Sequence, residues 1–534
     1  MTSETVFTRF ARMADRRGEG AFLHVLDETA AIYDIPAGDI SYAQMAARAR
    51  NWAESLAQAG YGAGHRVGLL LENRPLFLEI WLALNSLGAS VVPINPDLRI
   101  GELEYLAQHS EMVLAIVLPG RSDEMRAAAR NAGLSLPVIA PDDPLPPASR
   151  PAKTGTLDSQ TECALLYTSG TTGRPKGCIL SNEYYLYCGD WYAEAGGLMT
   201  LDPDCERMIT PLPVFHMNAM ACSVMAMVTV GGCLCLLDRF HPRTWWDSVR
   251  NSGATVVHYL GVMPTMLMGT PAQPNDRMDR VKFGFGAGVD KKLHAPFEVR
   301  FGFPLLEAWA CTESGNGAVV SAHEDPRKIG TSCFGRPTPE VEVRVVDDAG
   351  ADVPPETPGE LLVRHSGANP RFGFFSGYLK DAAATDAAWK GGWFNTGDVV
   401  TQDADGSLHF IDRKKNVIRR SGENIAAVEV ETILNRHPAI RMSAAAAAPD
   451  DLRGDEVAAF IILEEGATPR AEEIAVWALD QMAYYKVPGW IAFVDSLPLT
   501  ATQKLQRGEM KALVTKTMEQ GGFYDTRPLK KRQT

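Results

Sequence analysis

The sequence predicts an α/β protein with more than one core, and three observations carry that reading. Short apolar strands alternate with longer amphipathic segments through the first 150 residues, hairpin chemistry replaces that pattern from about Val341, and the stretch after Asp412 reads as a separate small unit. The chain has 534 residues. A single core stops growing near about 250–300 residues, and a prior of about 150 residues per domain allows roughly three to four folding units.

Taken in order, RVGLLLE (66–72) reads as a strand, 76–87 as a helix, VVPINP (91–96) as a strand, 102–109 as a helix and MVLAIVL (112–118) as a strand. Strand–helix alternation of this kind implies a parallel sheet with helices on its faces. A Pro-rich connector follows at 137–151, and a strand at 162–167 runs into a Gly-rich loop. Residues 208–237 contain no Asp, Glu, Lys or Arg, which on length alone would suit a membrane span. Pro211, Pro213, His216, Asn218, Thr229 and the Gly231–Gly232 pair divide that stretch into a loop, a helix and a buried strand.

From 342 to 364, two apolar runs joined by a Gly/Pro turn predict an antiparallel hairpin. The last unit reads as a helix at 428–435, strands at 440–447 and 456–463, and a further helix with Thr468 as N-cap and Pro469 at its first position. The basic tail at 523–534 reads as a solvated end.

Composition narrows the function. With 46% hydrophobic and 22% charged residues the chain is of ordinary globular type. Its net charge of −13 argues against general nucleic-acid affinity. Nine scattered cysteines, without CxxC or zinc spacing, suit reduced thiols in a cytoplasmic setting. The first 18 residues carry no apolar core of a secretory signal.

The most informative segment is YTSGTTGRPKG at 167–177, with five hydroxyl-bearing residues, three glycines and a lysine after a buried strand. Glycines let backbone N–H groups approach an anion, hydroxyls add donors and lysine adds charge, a combination that suits a polyphosphate. It is not a Walker A loop, because Pro175-Lys176-Gly177 stands where Gly-Lys-Ser/Thr is required.

This segment resembles the signature loop of the adenylate-forming superfamily, which includes acyl-CoA synthetases, peptide-synthetase adenylation domains and beetle luciferases. Further motifs follow in the family's order: LPVFH (212–216), GAG (286–288), EAWACTE (307–313), WFNTGD (393–398), DRKK (412–415), SGENI (421–425) and PLTATQK (498–504). Within the superfamily, 419–424 and 501–504 look most like the crotonobetaine/carnitine-CoA ligase branch. The resemblance implies two parallel-type αβ subdomains and a distorted β-barrel in a large AMP-binding N-terminal domain, 1–412. A small mobile α+β C-terminal lid, 413–534, would follow, with the hinge near Lys415.

It also implies roles. Thr168, Ser169, Gly170, Thr171, Thr172 and Lys176 would hold the ATP phosphates, with Thr168 and Glu313 holding Mg²⁺. Gly286, Ala287, Glu307, Ala308, Trp309 and Thr312 would form the adenine site, and Asp398 and Arg413 would bind the ribose. Lys504 would stabilise the crowd of anionic oxygens in adenylation, His216 would gate the acyl pocket and Lys415 would be the pivot. Gly422 and Glu423 would line the coenzyme A (CoA) tunnel, with Arg419 and Arg420 on CoA phosphates. His216, Asn218, Phe283 and Phe285 would line the acyl pocket, favouring a short-to-medium or compact polar acid. Trp309-Ala310 stands where the family usually has Tyr-Gly, and Gln503 where it commonly has Gly.

The implied reaction joins a carboxylic acid to CoA through an acyl-adenylate, with ATP, Mg²⁺ and CoA as participants and no membrane span or nucleic acid. A homodimer is compatible with it. The alternative is an enzyme that loads an acyl or amino acid onto a separate carrier protein. Each residue also has an ordinary structural alternative: His216 a core histidine, Glu313 a helix cap, Asp398 a hairpin turn, Lys504 a solvated loop lysine, and the 413–420 cations a solvated face. The ordered co-occurrence of the motifs favours the catalytic assignments.

Overall fold

A computed structural model describes residues 3–168, 175–413, 417–498 and 505–531, with backbone only at Asp412 and Arg413. The predicted strands and helices of the first 150 residues form the middle of a seven-stranded sheet. Glu162–Thr168, Ser90–Pro93, Arg66–Leu70, Leu114–Val117 and Val138–Ile139 run parallel, and Lys176–Ser181 and Gly377–Tyr378 add antiparallel strands at one edge. Val138–Ile139 lies inside the expected connector. Pro75 begins the helix Pro75–Ser86, a position where its missing N–H costs nothing. That helix is buried from Phe77 through Asn85, which explains its nearly unbroken apolar sequence.

A second, eight-stranded sheet carries Leu305–Trp309, Phe283–Ala287, Val256–Leu260, Arg207–Thr210, Cys233–Leu236 and Ala21–Val25 in parallel, with Val320–Ser321 and Gly38–Ser41 antiparallel at its ends. The uncharged 208–237 stretch resolves into most of a strand, a π-helical turn Asn218–Ser223, a helix Val224–Val230 and a second strand, almost wholly buried. Among the described residues no helix is long and apolar enough to cross a membrane. The expected hairpin pairs Val341–Val346 with Gly359–His365. Trp393–Gln402, Leu408–Arg413 and Cys333–Gly335 extend it into an antiparallel half-barrel.

Beyond Arg413 the chain enters a fourth sheet, beginning with Val417–Arg420 and Glu423–Ala426. Its centre pairs Ile440–Asp450 with Gly454–Leu463. One face packs on helices Ala427–Leu434 and Ala471–Gln481, and Met510 and Val514 of Arg507–Glu519 pack on the other. Thr468 and Pro469 do not start the second of these helices. Arg470 is its N-cap, because the Glu473 carboxylate turns back to accept the Arg470 N–H at 3.1 Å.

Candidate active site

A cavity of about 690 Å³ opens where the second sheet meets the first and the lid. Leu260, Gly286, Ala287 and Ala308 line it from the carboxyl ends of three adjacent parallel strands, where open α/β sheets bind ligands. The strands approach closely there. A Cβ on Gly286 would lie 2.2 Å from the Tyr259 carbonyl oxygen, so this position excludes every other residue.

Beside these strand ends, Glu313 and Thr168 both line the cavity, with the Thr168 hydroxyl donating to Glu313 Oε1 at 3.4 Å. Tyr378 donates its hydroxyl to the same oxygen at 2.8 Å, and Lys176 Nζ lies 4.7 Å from the Tyr378 ring centroid. Burial and the Glu313 carboxylate both push the Tyr378 hydroxyl upward in pKa, so it remains a donor. A carboxylate and a hydroxyl at this spacing are the hard oxygen donors that Mg²⁺ shares with phosphate, so the pair fits the metal expected there. Sequence reasoning missed Tyr378, which reaches the site because Gly377–Tyr378 pairs with Lys176–Ser181 across about 200 residues of sequence, a contact no local pattern records. Ser169, Gly170, Thr171, Thr172, Lys415 and Lys504 lie outside the described residues.

The adenine segment divides in two. Gly286, Ala287, Ala308 and Thr312 line the cavity, whereas Glu307 is 4% exposed and accepts the Val289 N–H at 2.6 Å, tying the Gly-Ala-Gly turn to its neighbouring strand. Burial raises the Glu307 pKa. Trp309 stands behind the wall: its indole N–H donates to Asp398 Oδ2 at 2.8 Å. Asp398 is buried and lies opposite Arg413 in the strand register. The tryptophan in place of tyrosine therefore orients Asp398, the aspartate expected at the ribose, from beneath.

On the side expected to take the acyl group, His216, Met217, Asn218, Cys222, Phe285 and Asn316 line the cavity. Phe283 does not. It is fully buried in the main core, one strand residue pair deeper than Phe285, so only one of the two rings reaches the pocket. Cys311 also lines the cavity, but burial pushes its thiol up to about 12, which makes it a poor nucleophile.

The lid supplies Arg419, Gly422 and Glu423 to the same cavity. Glu423 Oε1 stands 3.3 Å from His216 Nε2, and a Cβ on Gly422, whose φ is +92°, would lie 2.2 Å from Leu260 Cδ1. Arg420 corrects the expectation. It is 4% exposed and its Nε lies 2.8 and 2.9 Å from the two Glu456 oxygens, with Lys530 on the same carboxylate. This cation is consumed in the interior of the C-terminal unit, and of the Arg419–Arg420 pair Arg419 is the one that lines the cavity.

Contacts that the sequence reading missed join the C-terminal unit to the first-sheet side. Lys486 Nζ lies 2.5 Å from Glu102 on the first-sheet side and 2.6 Å from Glu429 within the lid. Glu102 also accepts the Ala483 N–H at 3.0 Å, and Asn95 Nδ2 donates to the Tyr485 hydroxyl at 3.1 Å. Burial lowers the Lys486 pKa, but the two carboxylates outweigh it and raise the value.

A family model described as AMP-binding enzyme matches residues 23–379, and one described as AMP-binding enzyme C-terminal domain matches 429–504. A crotonobetaine/carnitine–CoA ligase from Salmonella heidelberg is 29% identical over 504 residues, 91% of this chain and 96% of that protein. A double mutant of o-succinylbenzoate CoA synthetase from Bacillus subtilis, bound with its product analogue OSB-NCoA, superposes with a TM-score of 0.81 at 22% identity, covering 95% of this chain and 98% of that one. The same enzyme in complex with AMP gives 0.64 at the same identity and coverage.

Proposed function

The chain belongs to the AMP-binding enzyme family, and from that premise we infer an ATP-dependent carboxylate–CoA ligase. It forms an acyl-adenylate with release of pyrophosphate, then an acyl-CoA with release of AMP. The observation that carries the reading is one cavity joining the Thr168–Glu313–Tyr378 cluster, the glycine-lined strand ends and a lid loop at Gly422–Glu423.

In the first half-reaction a carboxylate oxygen attacks the α-phosphorus of ATP. Thr168 and Lys176, with Ser169, Gly170, Thr171 and Thr172, hold the phosphates, and Lys504 adds charge where it develops. Fixed charge of this kind is the main catalytic resource in phosphoryl and nucleotidyl transfer. Thr168 and Glu313 would hold a Mg²⁺, which would add positive charge near the phosphates. Asp398, braced by Trp309 and joined by Arg413, fixes the ribose. His216 closes the carboxylate end of the acyl pocket.

The second half-reaction needs the CoA thiol to reach the acyl carbon. Gly422 against Leu260 and Glu423 beside His216 support a lid orientation suited to that step, with Lys415 as the pivot of the alternation and Arg419 on a CoA phosphate. The closer superposition with the product-analogue complex than with the AMP complex of the same enzyme supports this orientation. The boundary between the domains then falls at 412/413. Nine unpaired cysteines fit a reducing, cytoplasmic setting.

The test is AMP release measured over a panel of carboxylic acids with and without CoA. Acid-dependent AMP release that rises sharply with CoA is expected. AMP release that ignores CoA, and rises only with a phosphopantetheinyl carrier protein, would move the assignment to carrier loading.

A further inference from the structure

One buried amide in the acyl wall is left unused by everything described above. Asn316 follows Glu313 on the turn Gly315–Ala318, lines the cavity and is 1% exposed. Its Oδ1 accepts from the Cys222 thiol at 3.5 Å, while its Nδ2 is buried without any hydrogen-bond partner. Buried polar groups are almost always paired, and an unpaired one calls for an explanation. The thiol is a weak donor, and the orphaned N–H₂ is a strong one.

The neighbouring wall points the same way. The π-helical turn Asn218–Ser223 brings Asn218 and Cys222 onto the cavity together. Asn218 Oδ1 is held at 3.0 Å by His258 Nδ1, and His258 Nε2 accepts the Tyr192 hydroxyl at 2.9 Å. Burial lowers the His258 pKa to about 3, so this brace is neutral. The Ser223 hydroxyl donates to the Asn218 carbonyl at 3.2 Å and lies 2.8 Å from the same Nδ1, so with the Tyr192 hydroxyl on Nε2 the Nδ1 proton is shared by Ser223 Oγ and Asn218 Oδ1. Asn218 therefore spends its oxygen on the protein and keeps its N–H₂ as a second donor on the wall. Among the described residues, every charged side chain lining the cavity apart from Glu313 and His216 comes from the lid or from the helix Ile100–Ser110 with its flanks. The stretch of wall formed by Asn218, Cys222, Phe285 and Asn316 carries no charge.

We propose that Asn316, together with Asn218, forms a donor subsite for a carboxylate whose uncharged tail carries an oxygen acceptor such as a ketone. The proposal rests on the ligase reading and narrows its substrate class. An acceptor oxygen satisfies the orphaned Nδ2. A tail ending in a second carboxylate or a quaternary ammonium finds no counter-charge on this wall. A plain alkyl tail leaves the amide buried and unpaired, a loss that sites built around a hydrogen bond turn into discrimination.

The experiment compares kcat/KM for isosteric pairs in AMP release with CoA: 4-oxopentanoate against 4-methylpentanoate, 5-oxohexanoate against 5-methylhexanoate, and 4-acetylbenzoate against 4-isopropylbenzoate. 4-(Trimethylammonio)butanoate is set against 5,5-dimethylhexanoate. In the wild-type enzyme at least one keto acid should exceed its methyl twin by about 10- to 100-fold. Asn316→Leu should carry that ratio toward one, and Asn316→Ala does the same duty if leucine overpacks the turn. Ratios near one in every wild-type pair, a ratio unchanged in the Asn316 variants, or preference for the trimethylammonio acid would overturn the subsite. AMP release from no acid at all would instead overturn the ligase reading on which it stands.

Discussion

Replacing Glu102 by Gln should separate the two half-reactions. Glu102 is the first-sheet side's contribution to a buried cluster whose other members, Lys486 and Glu429, both belong to the lid. All three side chains are at most 10% exposed. In the proposed rotation Lys486 would keep Glu429 while Glu102 parted from it, so the substitution should act on lid orientation more than on lid folding. Removing one partner of a buried pair costs about 3–5 kcal/mol when the charge stays stranded. Here Lys486 retains a carboxylate and can rehydrate on rotation, so the figure falls to that of a charged hydrogen bond, about 1.5–3 kcal/mol. That shifts the lid equilibrium by about 10- to 150-fold against the thioester orientation. The assay is single-turnover acyl-CoA formation from supplied acyl-adenylate, alongside acid-dependent ATP–pyrophosphate exchange. Thioester formation should fall by about one to two orders of magnitude, with exchange changed less than about twofold. Equal losses in both reactions, or no loss in thioester formation, would refute the idea that this cluster holds the lid.

Three further outcomes follow from the same geometry. Gly422→Ala places a Cβ against Leu260 at a φ of +92°, so thioester formation should fall by about tenfold or more while exchange persists, and Leu260→Ala should recover part of the loss; thioester kinetics in the single and double variants check this. Trp309→Phe removes the 2.8 Å hydrogen bond to Asp398 and should raise KM for ATP by about 5- to 50-fold, read from initial rates; an unchanged KM would remove the bracing role. Glu298 is lowered to about 2: burial raises its pKa, but hydrogen bonds from Arg327 and His294 outweigh that. Its stabilisation is therefore complete above the ordinary value of 4.5 and disappears as pH falls toward 2, with about 2 kcal/mol lost by pH 3. Urea titrations at pH 7 and pH 3 should show the gap between wild type and Glu298→Gln narrowing by that amount.

The parallel sheets were legible because burial on both faces writes long apolar runs into strands such as Leu114–Val117 and helices such as Pro75–Ser86. Thr168 and Glu313 were legible as motif positions, and the structure brings them together across 145 residues. Trp309 was legible as a departure, but its hydrogen bond to Asp398 depends on a strand 89 residues further on. Arg420 was misread because alternation along a four-residue strand decides whether a cation faces solvent or Glu456, and its sequence neighbours do not reveal which. Lys486 and Glu102 lie 384 residues apart, and Asn316 is remarkable only for a partner it lacks. Such pairings are made by tertiary packing, so no local pattern records them.

The most direct test of the central claim follows oxygen atoms. A substrate acid labelled with ¹⁸O in its carboxylate is turned over with ATP and CoA, and the products are read by mass spectrometry. Attack of the carboxylate on the α-phosphorus followed by thiolysis leaves one labelled oxygen on AMP and none on pyrophosphate. Label in inorganic phosphate with ADP formed, or AMP free of label, would contradict an acyl-adenylate mechanism.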